Sequence, residues 1–166
     1  MVEMRLASVR VEMSTRTPIL LLQEAGGGNR TLPIYIGPAE AQAIAQALQG
    51  VVAPRPMTHD LMRDLLNELG AVIDSVVITE LRDKTFYAEI RLNAGGRTHH
   101  VSARPSDAIA LAVRTSATIY ADDALVDAEG VVLEADEDEE DDRDTDELVS
   151  EFKAFIEGIR PEDFES

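Results

Sequence analysis

Three residues able to hold a phosphate or a metal stand almost side by side: Arg104, Ser106 and Asp107, in the stretch Ser102–Arg114 (SARPSDAIALAVR). The arginine offers a planar fork of N–H donors that suits phosphate or carboxylate. The hydroxyl can donate to a phosphate oxygen, and the carboxylate can ligate a hard cation. Pro105 suits the first position of a helix, where its missing N–H costs nothing and its fixed φ is already helical. Asp107 then falls in the first turn, where a carboxylate interacts well with the positive helix end. Ala108–Val113 are all apolar, and a helix with no polar face is expected to be buried. The three polar side chains therefore stand where a packed helix emerges, beside backbone N–H groups that have no partner within the helix.

A sheet with helices laid against it must position this mouth. In Val2–Met13, Ala7, Val9, Val11 and Met13 alternate with Ser8, Arg10 and Glu12, the period of a strand. Pro18–Ala25 is a second apolar run, and the GGGN at 26–29 turns it into Thr31–Ile36 as a hairpin. Gly37–Pro38 opens a helix with Ala41, Ile44, Ala45 and Leu48 on one face and Gly50 at its end. Thr58 is placed to cap the next helix, with Leu61, Met62, Leu65, Leu66 and Leu69 as its expected buried stripe and Gly70 as its stop. Val72–Leu81 and Thr85–Leu92 read as strands around a tight turn at Asp83–Lys84, and a glycine turn at 94–96 leads into Arg97–Ala103. A short strand at Thr118–Tyr120 and a brief helix near Asp122–Asp127 follow the apolar helix. The pattern predicts an α+β fold, a mainly antiparallel twisted sheet with three packed helices.

Apolar residues make up 45% of the 166 residues but aromatics only 4%, so the core is expected to be aliphatic. The absence of cysteine removes disulfides and thiolate metal sites. The N-terminal segment has no long apolar run and does not read as a signal peptide, and no stretch approaches the ~20 apolar residues of a membrane span. A cytoplasmic protein without a membrane partner is the expectation. The net charge of −17 is unevenly spread: residues 1–133 carry 16 acids against 12 Lys and Arg, and residues 134–166 carry 16 against 3. Residues 134–147 therefore read as an acidic disordered linker. In 148–166, Leu148, Val149, Phe152, Phe155, Ile156 and Ile159 form the stripe of an amphipathic helix.

RPSDAIALAVR closely resembles the signature of the bifunctional nuclease family, named for DNase and RNase activity. LPIYIGPA at 32–39, RPMTHDLMRDLLNEL at 55–69 and TFYAEIR at 85–91 occur in the order that family shows. The resemblance covers most of residues 1–133, taken as the bifunctional-nuclease-like domain. It implies a metal-dependent hydrolase of low sequence specificity acting on phosphodiester bonds in DNA and RNA, with Mg²⁺ or Mn²⁺, and a homodimer. The positions that match the family's motifs are His59, Asp60, Glu89, Arg104, Ser106 and Asp107. His59 is the candidate general base, since imidazole titrates near neutrality; its other role is a capping or surface histidine. Asp107 and Glu89 are the candidate catalytic carboxylates and metal ligands. Asp107 can equally be a helix-stabilising first-turn acid, and Glu89 joins it only if the polar face of its strand is covered. Arg104 and Ser106 are the candidate phosphate-binding pair. An ion pair for Arg104 and a local bond for Ser106 are their ordinary alternatives. His99 and His100 alternate across a strand and cannot share one metal.

Two other functions fit the same residues. One is a regulatory or interaction module that recruits a partner through the acidic tail and its helix. The other is a sensor of an anionic ligand at Arg104. Against a nuclease stands the charge, because nucleic-acid affinity comes from cations that neutralise phosphates. A local groove of Arg55, Arg63, Arg104 and Arg114 can still serve, and an acidic tail can mimic nucleic acid and cover it. Deleting residues 134–166 is then expected to raise nuclease activity or DNA affinity, read by cleavage and titration assays; unchanged values remove the idea.

Overall fold

In the computed structural model the described residues are 1–133. The expected linker at 134–147 and helix at 148–166 lie outside them. The strands are β1 (Val2–Glu12), β2 (Thr17–Glu24), β3 (Arg30–Tyr35), β4 (Ala71–Arg82), β5 (Thr85–Ala94), β6 (Arg97–Ala103), β7 (Thr118–Ala121) and β8 (Val131–Val132). The helices are α1 (Pro38–Leu48), α2 (Thr58–Glu68), α3 (Pro105–Thr115) and α4 (Asp123–Glu129). All strands form one sheet in the order β6-β5-β4-β7-β1-β2-β3-β8. The pairings are antiparallel except β4 with β7, which is parallel. The α+β expectation holds, with three larger helices and, as α4, the brief helix expected near Asp122–Asp127. No helix among the described residues is long and apolar enough to cross a membrane.

Local chemistry explains the hairpins. Asp83 and Lys84 both adopt positive φ, 50° and 61°, in the two-residue turn between β4 and β5. That conformation matches the right-handed twist of the flanking strands. Gly95 and Gly96, at 59° and 75°, do the same between β5 and β6. In β1 the pairing register shifts between Leu6 and Ser8. Leu6 and Val9 consequently both face the side of the sheet on which their partners Leu22 and Leu20 are fully buried. Alternation from the sequence placed Ala7 with Val9 and Val11; the bulge turns Ala7 outward, where it is exposed.

α1 packs on β1 and β2, and α3 packs on β4, β5 and β7. α4 touches both β3 and β4, which are separated in the sheet by three other strands, so the sheet is strongly curled. The buried core is aliphatic, as expected, and contains no aromatic side chain among the described residues. Ala108 to Ala112 of α3 are at most 1% exposed. That helix lies in the interior of residues 1–133, in keeping with its lack of a polar face.

α2 departs from expectation. Leu61, Met62, Leu65 and Leu69, read as its buried stripe, are 50, 38, 54 and 78% exposed. Its only buried residue is His59. The helix rests on α3 and β4 through its other side, and polar contacts hold its N-terminus in place.

Candidate active site at the mouths of three helices

α1, α2 and α3 begin in the same way. Each has an extended N-cap residue (Gly37, Met57, Arg104) and an acid in the third helical position (Glu40, Asp60, Asp107). Pro38 and Pro105 occupy the first position of α1 and α3. Carboxylates at these positions suit the partial positive charge of the helix ends. They also link the three ends together.

Arg104 is the bridge. Its Nε donates to Asp107 Oδ2 at 2.7 Å and its Nη2 to Asp107 Oδ1 at 3.2 Å, while Nη1 pairs with Glu40 Oε1 at 2.9 Å. The Arg104 side chain is still 66% exposed. Its pKa is raised, first by the hydrogen bond to Asp107. On the far side of Asp107, His59 Nε2 lies 2.9 Å from Oδ1. Burial, the largest influence on Asp107, pushes its carboxyl up. Hydrogen bonds from Arg104 and His59 outweigh it and hold the group below the usual carboxylate range. Asp107 is therefore ionised at neutral pH and must accept, so it is Nε2 that donates, leaving Nδ1 as the ring nitrogen not engaged with Asp107. This is the geometry of a histidine base oriented by a carboxylate.

A second link lies behind the first. Arg114 is 5% exposed in its side chain, and its Nε donates to Asp60 Oδ1 at 2.6 Å. Its Nη1 donates to Ala110 O and its Nη2 to Ala43 O, both at 3.0 Å. Asp60 also accepts from the Met57 N–H at 3.1 Å. The Arg114 hydrogen bond is the main cause that lowers the Asp60 pKa. Arg114 was expected among phosphate-binding arginines. It is instead buried and engaged with three helices, and cannot face a ligand. Of the other arginines in that expected groove, Arg63 pairs with Asp64 at 2.7 Å and Arg55 lies exposed in the connector before α2.

The structure thus brings together His59, Arg104 and Asp107, with Asp60 close behind. Ser106 is 6% exposed and lines an open cleft of ≈ 400 Å³ beside Arg104. Glu89 does not join them. It projects from β5 on the side opposite the buried Ala88 and Ile90. There it accepts from Arg91 Nε at 2.9 Å and lies 2.8 Å from His100 Nδ1. The hydrogen bond to His100, then that to Arg91, lowers its pKa. Glu40 takes the place foreseen for a second carboxylate. Its signal was present, because GPAE at 37–40 repeats the form of RPSD at 104–107: cap, proline, small residue, acid. Among the described residues no three His, Asp or Glu side chains are placed to hold a metal ion. Arg104 stands where a cation between Glu40 and Asp107 would need to be, so the donor set does not fit a resident Mg²⁺ or Mn²⁺.

A family model described as the bifunctional nuclease domain matches residues 20–134, which contain every residue of this network. The chain belongs to the bifunctional nuclease domain family. An uncharacterized protein of Mycobacterium tuberculosis is 42% identical over 165 residues, covering 99% of this chain and 98% of that protein. More distant is bifunctional nuclease 2 of Arabidopsis thaliana, 29% identical over 116 residues, or 68% of this chain and 35% of that protein. Bifunctional nuclease 2 of Oryza sativa subsp. japonica is 26% identical over 121 residues, or 71% and 37%. The chain spans about a third of these two plant proteins.

In this bifunctional nuclease domain the Asp60–Arg114 pair should dominate the acid sensitivity of α2. A carboxyl whose pKa is lowered by folding contributes stability above its unfolded value, near 3.8, and loses it as pH falls through the folded value. Asp60→Asn leaves a buried arginine without its anion and is expected to cost about 3 kcal/mol at pH 7. Urea unfolding at several pH values should show that difference shrinking below pH ~4, as Asp60 itself becomes protonated. A difference that stays constant with pH would contradict the assignment.

Proposed function

We propose that the chain is a nuclease of low sequence specificity, hydrolysing phosphodiester bonds in DNA and RNA at the mouths of α1, α2 and α3. The observation that carries this reading is the chain of contacts Glu40–Arg104–Asp107–His59 beside an open cleft. Family membership supports it. Arg104 is exposed and keeps N–H donors beyond those given to Asp107 and Glu40, and these can hold a phosphate oxygen. The first-turn N–H groups of Ser106 and Asp107 have no acceptor within α3 and add to an anion-binding mouth. In its neutral form His59 accepts at Nδ1 a proton from the attacking water while Asp107 steadies the imidazolium that forms. As the water oxygen bonds to phosphorus the P–O bond to the leaving oxygen breaks, and that oxygen takes up a proton from solvent as the imidazolium returns its own. The contacts required are to phosphate rather than to base edges, which accords with low sequence specificity. These residues carry the reaction without a metal ligand set among the described residues, and comparing Mg²⁺, Mn²⁺ and EDTA reads any metal requirement directly.

Full-length protein incubated with single-stranded DNA or RNA, with Mg²⁺, Mn²⁺ or EDTA, is expected to cleave both. His59→Gln and Asp107→Asn should each lower the rate by ~10²–10⁴-fold while the protein remains folded by circular dichroism. Cleavage unaffected by both substitutions would move the site elsewhere. Absence of cleavage in every condition would leave the family name without an activity here and favour an interaction module.

The exposed ridge of α2 supports pairing with a second copy. Met57, Leu61, Leu65 and Leu69 recur every four residues and are 51, 50, 54 and 78% exposed. Such a ridge has no direction, so a copy related by a two-fold axis can lay the same ridge antiparallel against it. Monomers rarely leave an apolar patch above a few hundred Å² uncovered. Sedimentation equilibrium is expected to find a dimer, and Leu65→Lys a folded monomer. A monomeric wild-type protein would remove the proposal.

A further inference from the structure

The cleft beside Arg104 has a composition that the phosphodiester chemistry does not itself require. One wall is the end of β3 leading into α1, with Ile34, Tyr35 and Gly37; another is the β4–β5 turn, with Lys84 and Phe86; the third is the mouth of α3. Tyr35 is 57% exposed, although β3 is otherwise largely buried. Phe86 is half-buried. Two of the few aromatic side chains therefore border one opening, and none of those among the described residues is buried in the core. Lys84 is exposed and has no ion-pair partner among the described residues. The tight turn that bears it, with φ of 50° and 61° at Asp83 and Lys84, fixes its backbone at the rim. Arg104 lies on the opposite, α3 side of the same opening.

Aromatic faces flanked by cations are the means by which proteins take hold of unpaired nucleotides. A base stacks on the ring, and the backbone phosphates meet the cations. Stacking of this kind tolerates any sequence, because every base has a π-face. In a duplex those faces are covered by neighbouring base pairs. A volume of ≈ 400 Å³ lies at the small end of ligand sites and suits one nucleotide, not a double helix.

We propose that this cleft seats one unpaired nucleotide, its base against Tyr35 and Phe86 and its phosphates between Lys84 and Arg104, so that the protein selects single-stranded DNA or RNA over duplex. This rests on reading the α3 mouth as a phosphodiester site, and extends it to the form of the substrate. Arg104 connects the two, since it both lines the cleft and holds Asp107. The scissile phosphate is thereby placed next to a gripped base.

The test is binding, separated from cleavage. Fluorescence anisotropy of the full-length His59→Gln protein, which lacks the proposed base, would compare a labelled single-stranded oligothymidylate with its duplex, and thymidine monophosphate as competitor. The single strand is expected to bind at least ~10-fold more tightly than the duplex, with the mononucleotide competing weakly. Tyr35→Ala should cost about tenfold on the single strand, and little on the duplex. Phe86→Leu keeps apolar volume in the wall but removes the stacking face, and should act in the same direction. Lys84→Ala should reduce the slope of log affinity against log salt by about one. Equal affinity for single strand and duplex, or a preference that survives both aromatic substitutions, would overturn the proposal. So would tight binding of the mononucleotide with no binding of the strand, which would mark a small-anion sensor. A single-strand preference without cleavage in the earlier assay would leave the cleft reading standing and the nuclease reading refuted; cleavage without preference would do the reverse.

Discussion

A single buried guanidinium organises this molecule. Arg114 belongs to α3, bonds to its own helix at Ala110 O, reaches α1 at Ala43 O, and closes an ion pair with Asp60 at the start of α2. Taking an arginine out of water is costly unless every donor direction is answered. Here the answers come from three different helices, so the helices cannot be rearranged independently. The aliphatic core supplies the bulk of the stability by burying apolar surface, but such contacts are non-directional. Arg114 adds direction. Because it sits one layer behind Asp107, it also determines where the first turns of α2 and α3 meet.

The consequence for chemistry is that the mouth network is assembled by backbone and not by loops alone. His59 reaches Asp107 because Asp60, the next residue, is anchored on Arg114. Arg104 reaches Glu40 because α1 is tied to the same anchor. A general base and its orienting acid have to be held within a fraction of an ångström to be useful, and sites on rigid elements achieve this better than sites on mobile ones. Three helix ends facing one another also concentrate positive partial charge in one place. That charge offsets the acids collected there, and leaves Arg104 exposed without leaving it unbalanced.

Much of this was legible from residue order, and what was hidden has definable causes. α3 declared itself through Pro105, Asp107 and an unbroken apolar body, all local properties. Arg104 and Ser106 could be placed at its mouth for the same reason. The partnership of His59 with Asp107 could not be read, because it joins residues 48 apart and depends on how α2 docks. Periodicity showed that α2 has an apolar face but not what covers it. The face proved to be outward, and polar residues hold the helix down. The side that Glu89 takes was open for a different reason. Alternation gives two faces to a strand, and only packing decides which of them meets α3. The bulge at Ala7 was equally silent, since a one-residue insertion leaves the composition of β1 unchanged. Glu40 is announced by a tetrapeptide, GPAE, of the same form as the RPSD at the α3 mouth.

The position of β7 has a meaning beyond sheet order. β1, β2 and β3 form one antiparallel meander and β4, β5 and β6 another, each made by short connections. Only β7 sits between them, pairing with β1 on one side and β4 on the other. Through it Val2 meets Ala121, near opposite ends of the described residues. Hairpins close small loops and form quickly, whereas a seam between such distant segments must first overcome the entropy of a very large loop. The helix mouths draw on both sides of that seam: Glu40 follows the first meander, and Arg104 and Asp107 follow the second. During synthesis the four-residue seam leaves the ribosome after both meanders. Neither half carries the complete network alone, and joining the sheet is the event that completes it.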